Sequence, residues 1–213
     1  MDRYVTELIG TYVLVLIIGM VVIGGSPLAP IAIGSGLMVV VYMGGHVSGA
    51  HYNPAVTIAL YLRGATDKRD VLPYLAAQIF GSWLAATTVQ LLTGETFALA
   101  PSAEGFAAPL LAEIIATFVL CLVIMNVATS KATEGNQYYG LAIGFTVAAF
   151  AFAVGGLSGG AFNPAVGTGP ILVDVMAGEG SLSNLWLYWV GPILGGLGAV
   201  PVFRLQEGPD SAA

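Results

Sequence analysis

Two asparagines, Asn53 and Asn163, are the residues whose type and spacing point most directly to chemistry. Each lies in a repeated motif, at 46–56 and 156–166, that reads Ser-Gly-small-x-aromatic-Asn-Pro-Ala-Val. Asparagine is a favoured N-cap and proline a favoured first helical residue, so each motif predicts the start of a helix. The asparagine amides can donate hydrogen bonds to the oxygen of a passing solute. The predicted site therefore consists of Asn53, Pro54 and Ala55 together with Asn163, Pro164 and Ala165.

The composition places these motifs in a membrane. Hydrophobic residues make up 57% of the 213 residues and charged residues only 8%, whereas soluble domains contain about a quarter charged residues. The net charge of −6 argues against a nucleic-acid partner. Cys121 is the single cysteine, which excludes an intrachain disulfide and a multi-cysteine metal site.

Six apolar segments are long enough to span a bilayer, which takes roughly 17–25 residues. They cover 4–23, 31–45, 71–92, 109–129, 138–155 and 184–203. The motifs open two helices too short to span, at 54–62 and 164–173, and we expect Pro170 to end or bend the second one early. A charged surface loop is expected at 66–70 and a polar loop at 93–108. The prediction is an all-α membrane protein of one channel domain, 1–213, with repeats at about 1–93 and 108–206.

The two halves are predicted to have opposite orientations, because three spans per half invert the second copy. With six spans, all six basic residues fall on one side: Arg3, Arg63, Lys68, Arg69, Lys131 and Arg204. Cytoplasmic loops carry the Lys/Arg excess, so both termini are expected to be cytoplasmic. The short helices then enter from opposite sides, and their positive N-terminal ends meet near the midplane, where they repel cations and protons.

Four ionisable residues have two interpretations each. Glu7 and Glu113 lie inside spans, where a carboxylate is costly and by default functional. They either support the irregular backbone before the short helices, which we favour, or relay protons in a coupled transporter. His46 and His51 flank the first motif; they either hold its loop, which we favour, or gate by pH. Two histidines are too few for a metal site, and we expect no metal, cofactor or catalytic residue.

Several stretches resemble the aquaporin (major intrinsic protein) family. They are the two Asn-Pro-Ala motifs, the Gly-His-x-Ser-Gly-x-His-x-Asn-Pro-Ala-Val-Thr stretch at 45–57, the Glu-x-x-x-Thr-aromatic repeat, and the patterns at 77–81 and 186–196. The resemblance covers nearly the whole chain. It implies six transmembrane helices plus two re-entrant half-helices, a homotetramer of independent pores in a lipid bilayer, and a passive channel rather than an enzyme.

The chain departs from that family at the outer constriction, its selectivity filter. An arginine usually follows the second motif, and this chain has Val166 there. The other filter positions would be Ile33, Gly160 and Ala151, or Phe152 if the alignment slips by one residue. Glycerol facilitators have an aspartate after the arginine, where this chain has Gly167.

The resemblance, with these departures, predicts a wide apolar filter that passes water, glycerol, urea and metalloid hydroxides such as arsenite. One alternative is an ordinary water-selective aquaporin, in which another residue or a loop refills the space. The alternative from another class is a proton-coupled secondary transporter. The short loops and tails favour the plasma membrane of a bacterium, its inner membrane.

Overall fold

A computed structural model describes residues 1–102, 105–178 and 180–207 of the chain. These residues form eight α-helices: α1 (Asp2–Ile23), α2 (Ala29–Ser48), α3 (Pro54–Arg63), α4 (Lys68–Thr93), α5 (Ala107–Ile124), α6 (Tyr139–Ser158), α7 (Pro164–Met176) and α8 (Leu185–Glu207). A π-helical turn, Met125–Thr129, continues α5, and 3₁₀ turns lie at Lys131–Thr133 and Leu182–Asn184. Among the described residues, six helices are long and apolar enough to cross a membrane. The prediction of six spans and two shorter helices, α3 and α7, is confirmed.

The helix boundaries differ from the predicted ones where polar residues extend a helix. The predicted surface loop at 66–70 is mostly helix, because the Asp67 side chain accepts a hydrogen bond from the Arg69 N–H and caps α4 at Lys68. This bond, together with those from the Arg69 side chain, holds the pKa of Asp67 below its usual value. The predicted polar tail after 203 begins later, because α8 continues to Glu207.

The expectation that α7 ends early at Pro170 is wrong. The helix α7 passes through Pro170 and ends at Met176, three residues beyond the predicted end. Proline is tolerated in membrane helices whose neighbours hold the freed backbone, and α7 is packed against α4 and α8. Trp189 of α8 donates a hydrogen bond of 3.0 Å to the Thr168 hydroxyl, within the turn that precedes Pro170.

The two halves pack by the same scheme. The helix α1 lies against α4 as α5 lies against α8, α2 crosses α6, and each short helix contacts the last long helix of the other half. Glycines permit the close crossings: a Cβ on Gly81 would overlap the carbonyl oxygen of Leu8, and one on Gly195 would overlap that of Ile114. Such small residues let membrane helices approach closely. The half-helices are thereby held between the two halves.

Basic residues gather at one end of the helix bundle. Arg3 pairs with Asp70 at 2.5 Å, and Arg63 pairs with Glu207 at 3.3 Å. Arg204 donates to the carbonyl oxygen of Leu62 at 2.7 Å. These contacts join the start of α1 to the start of α4, and the end of α3 to the end of α8. We call this end the basic end and the other the opposite end.

Candidate functional site

A cavity of about 180 Å³ lies between the N-termini of α3 and α7 and extends towards the opposite end. Asn53 and Asn163 both line it, so the structure brings the two motifs to one site. None of the described lining residues carries a formal charge, and most are apolar. They include Leu14, Ile18, Val22, Ile33, Leu37, Val56, Leu99, Leu120, Val147, Ala151, Gly160 and Val166. The wall is therefore neutral and largely unable to form hydrogen bonds, apart from the motif loops.

The asparagines join the two halves reciprocally. Asn53 Nδ2 donates to the carbonyl oxygen of Phe162 at 2.9 Å, and Asn163 Nδ2 donates to that of Tyr52 at 2.8 Å. Each asparagine also caps its own helix, because its Oδ1 accepts a hydrogen bond of 2.9 Å from the N–H two residues later. An amide nitrogen carries two N–H bonds, so one N–H of each asparagine can still be donated to a solute.

The residues before the asparagines have a left-handed backbone conformation, which residues other than glycine rarely adopt. Tyr52 has φ 49° and Phe162 has φ 50°, and such left-handed residues cost of order 1–3 kcal/mol each. Each carbonyl accepts the opposite asparagine amide, and each N–H donates to a buried carboxylate. Hydrogen bonds to the N–H and to the carbonyl oxygen of each residue therefore stabilise the strained backbone.

The buried carboxylates are Glu7 and Glu113, and each holds one motif loop. Glu7 accepts from the N–H groups of His51 and Tyr52, at 2.9 and 2.7 Å. Glu113 accepts from those of Ala161 and Phe162, at 3.0 and 2.6 Å. Ser48 and Ser158 each donate a further bond of 2.7 Å. Neither glutamate is among the described lining residues, so both stand behind the loops.

The two histidines lie in different surroundings. His51 is buried beside the first motif, where its Nδ1 lies 3.0 Å from the Thr57 hydroxyl and its ring meets the Tyr74 ring edge to face. His46 is exposed and lines a second cavity of about 650 Å³ at the basic end. Ala50, Ile124 and Ile143 line both cavities, so the two cavities adjoin at these residues. The loop-support role fits the contacts of His51, and for His46 it stays a prediction.

The structure brings the four positions predicted for the filter to the same cavity. Ile33, Ala151, Gly160 and Val166 all line it, towards the opposite end from His46. Phe152, the alternative to Ala151, points away and is 54% exposed. Val166 lies in the first turn of α7 and is 2% exposed. The next residue is Gly167, and a Cβ at this position would overlap the Cβ of Tyr188. This packing therefore excludes an aspartate at position 167.

The sequence did not predict two residues of the site, one behind the first motif loop and one in the cavity wall. Gln78 bridges Glu7 and Thr57 through its Nε2, at 2.8 and 3.0 Å. Leu99, in the stretch predicted as a polar loop, lines the cavity. The available signal was the alternation of the large apolar residues Phe97 and Leu99 with the small residues Ala98 and Ala100. Their alternation marks one buried face.

The fold and the site define a helical membrane protein with a neutral path between two half-helices. The family model described as "Major intrinsic protein" matches residues 1–203, and the chain belongs to this family. The members of this family are passive channels, so this chain is a channel and neither an enzyme nor a coupled transporter.

Relatives include plant and bacterial proteins. The putative aquaporin NIP4-1 of Arabidopsis thaliana is 37% identical over 96% of this chain and 74% of its own length. The glycerol uptake facilitator protein-like 6 of Lactiplantibacillus plantarum is 33% identical over 99% of this chain and 100% of its own. The aquaglyceroporin from Plasmodium falciparum shares the fold, with a TM-score of 0.83, 21% identity and coverage of 99% and 96%.

Proposed function

We propose that this channel conducts small uncharged solutes larger than water, namely glycerol, urea and metalloid hydroxides such as arsenite, together with water. The observation that carries the proposal is the lining at the filter positions: Ile33, Ala151, Gly160 and Val166 are all uncharged and apolar, and two are glycine or alanine. A filter without arginine lacks a bulky cation and its hydrogen-bond donors, so it admits wider solutes.

The mechanism follows from the asparagines and the helix ends. A solute hydroxyl can accept the free N–H of Asn53 and then that of Asn163, which replaces part of its hydration. Each half-helix carries roughly half a positive charge at its N-terminus. Both ends face the cavity, so cations and protons are repelled while neutral solutes pass. The glycerol uptake facilitator-like relative supports glycerol as one of the solutes.

We further propose that the channel is a homotetramer in the plasma membrane, with one pore per chain. Its termini would lie in the cytoplasm, because the basic end would face the side where Lys and Arg are enriched. Native mass spectrometry in detergent tests the tetramer, and protease access to a terminal tag in sealed cells tests the orientation.

Stopped-flow light scattering on proteoliposomes tests the solute proposal, with water, glycerol, urea and arsenite as the solutes. We expect fast, non-saturating flux of all four, independent of a proton gradient. Flux of water alone would overturn the proposal, and the chain would then be an ordinary water-selective member.

The variant Val166→Arg tests the filter within the same assay. We expect glycerol flux to fall about tenfold, equivalent to an added barrier of about 1.4 kcal/mol, and water flux to fall less. The control Val166→Leu adds bulk without charge or N–H donors. An equal fall of water and glycerol flux in Val166→Arg, or no change in either, would show that Val166 does not line the constriction.

A further inference from the structure

An open groove of about 610 Å³ runs along α4 on the outside of the helix bundle, and all its described lining residues are hydrophobic. Its α4 residues recur at i, i+3, i+4, i+7, i+8 and i+11, which places them on one face of the helix. They are Leu72, Leu75, Ala76, Ile79, Phe80 and Trp83. Leu172 of α7 completes the lining.

This groove faces away from the described part of the chain. Leu72 is 76% exposed and Phe80 is 49% exposed, and the Phe80 ring stacks on that of Trp83 within the groove, with centroids 5.7 Å apart. The packed side of α4 is a different one, where Ser82 Oγ donates to the carbonyl oxygen of Ala165 at 2.6 Å. In a bilayer, hydrocarbon that fills such a groove gains the dispersion contacts that a gap forfeits.

The length of the groove matches one leaflet of a bilayer. Its α4 residues span 83 − 72 = 11 residues, or about 16 Å at a rise of 1.5 Å per residue. Half of a hydrocarbon core of about 30 Å is about 15 Å. The groove begins near the basic end, because α4 starts there at Lys68. One acyl chain of the leaflet at the basic end therefore has the right length to fill it.

A cation stands where the groove meets the basic end. Lys68 precedes Leu72 by four residues, so the two side chains are neighbours on one helix face. Lys68 is exposed and takes part in none of the ion pairs among the described residues. The two carboxylates of the same turn, Asp67 and Asp70, are each paired with an arginine, at 3.1 and 2.5 Å. The ammonium group can therefore pair with an anion at the end of the groove, while its stem follows the apolar surface.

We propose that this groove binds an anionic phospholipid of the leaflet at the basic end, with one acyl chain along α4 and the phosphate beside Lys68. A zwitterionic phospholipid has the same chains but no net charge, so Lys68 favours the anionic headgroup. The inference is independent of which solute the channel conducts.

The fluorescence of Trp83 tests this site, because a brominated acyl chain quenches a tryptophan that it touches. The chain has three tryptophans, so the double change Trp186→Phe and Trp189→Phe leaves Trp83 as the only one. In phosphatidylcholine vesicles, we expect brominated phosphatidylglycerol to bind at Trp83 about fivefold more tightly than brominated phosphatidylcholine. Equal or weaker binding of the anionic lipid would overturn the inference. Absence of quenching by either lipid would do the same, since a second copy of the chain would then cover the groove.

Two lysine variants show whether the preference belongs to this site. Lys68→Gln should bring the ratio of the two affinities to about one. The matched control is Lys131→Gln, the same change at an exposed lysine that lines the cavity at the basic end, and it should keep the fivefold ratio. An equal loss in both variants would mean that the overall charge of the surface attracts the lipid, which contradicts a site at Lys68.

Native mass spectrometry makes the same comparison without the tryptophan changes, in case these lower stability. The unchanged channel, Lys68→Gln and Lys131→Gln are each titrated with phosphatidylglycerol and with phosphatidylcholine in detergent. We expect one phosphatidylglycerol per chain to be lost in Lys68→Gln alone. Identical lipid binding by the unchanged channel and Lys68→Gln would overturn the inference.

Discussion

The two motif loops have the same backbone form but are held by different means. In the first half, Glu7 accepts four hydrogen bonds, the fourth from Gln78, which also reaches Thr57. In the second half, Glu113 accepts three. Thr57 lies four residues after its asparagine, and Gly167 has the corresponding place after Asn163. A hydroxyl in one half thus corresponds to bare backbone in the other.

The second half replaces this polar network with close packing. Tyr74 and Tyr188 each donate to the carbonyl oxygen of the motif serine at 2.7 Å. The two tyrosines therefore occupy corresponding positions in α4 and α8. Four residues later stand Gln78 in α4 and Pro192 in α8. Gly191, just before that proline, lies against Glu113, where an added Cβ would come 2.6 Å from the glutamate Cβ.

The difference shows that one loop geometry can be fixed either by hydrogen bonds or by shape. The loop with fewer polar partners is also the one that carries Gly160 and Val166, two of the proposed filter residues. Its packed side leaves the cavity wall apolar. The first loop keeps the carboxylate and amide of Glu7 and Gln78 behind its backbone, whereas His51 and Asn53 line the cavity.

The largest expected effect comes from giving the second half the hydroxyl of the first. Gly167→Thr places a Cβ on the Cβ of Tyr188, and overpacking of a tight core costs about 3 kcal/mol. The reverse change, Thr57→Gly, overlaps nothing; it loses hydrogen bonds and helix propensity, about 2 kcal/mol together. Apparent melting temperatures in detergent should rank Gly167→Thr lowest.

Gly198→Thr is the matched control for that series. A Cβ on Gly198 lies 3.5 Å from Phe118, an ordinary contact, so this variant should melt close to the unchanged channel. If Gly167→Thr melts together with Gly198→Thr, close packing does not hold the second loop and the comparison fails.

A smaller difference is expected between the two carboxylates. Glu113→Gln leaves a loop N–H without an acceptor and should cost about 2 kcal/mol. Glu7→Gln also leaves a loop N–H without an acceptor but should cost less, about 1 kcal/mol. Gln78 can turn its amide and offer the new N–H groups its Oε1, which is buried without a partner among the described residues. Apparent melting temperatures measure both changes.

Removing Gln78 sharpens this comparison. Adding Gln78→Leu to Glu7→Gln should cost more than the two single changes predict, because it removes the compensating acceptor. Glu134→Gln, at an exposed carboxylate, serves as the control without effect. Equal losses of stability in Glu7→Gln and Glu113→Gln would show that Gln78 does not compensate for the change in the first loop.

The sequence predicted the helices and motif positions because these depend on local rules. Asn-Pro starts each short helix, and apolar length makes each span. Gln78 and Leu99 could not be placed, because their roles depend on which helices cross and how a loop folds back. The end of α7 was predicted too early at Pro170, because packing between α4 and α8 outweighs the tendency of proline to end a helix. The reason for Gly167 likewise became visible only with Tyr188 beside it.

The smallest effect concerns the turns that follow the half-helices. Asp67 caps the first turn by accepting the Arg69 N–H at 2.9 Å, and Ser181 caps the second by accepting the Ser183 N–H at 3.2 Å. The pKa of Asp67 is lowered in the folded chain. Its contribution is therefore present above the ordinary pKa of about 4 and is lost as pH falls through the folded value. The serine cap does not titrate in this range.

Hydrogen exchange corrected for intrinsic rates can separate the two turns. Protection of the Arg69 N–H should stay constant down to about pH 4 and fall below it, whereas that of the Ser183 N–H should stay constant throughout. Asp67→Ser should remove the pH dependence of the first turn. A parallel fall at both amides would mean that acid loosens the whole end of the bundle and not the cap.

The reciprocal bonds of Asn53 and Asn163 also have a consequence for synthesis on the ribosome. The asparagines are 163 − 53 = 110 residues apart, and chains grow at about 5–20 residues per second. The first half-helix is thus complete about 5–20 seconds before Phe162, which accepts its amide, emerges. Until then its N-terminus needs water or another partner. The first half can form its final hydrogen bonds only after the second half has been synthesised. The nascent channel therefore reaches its native structure late in synthesis and not progressively.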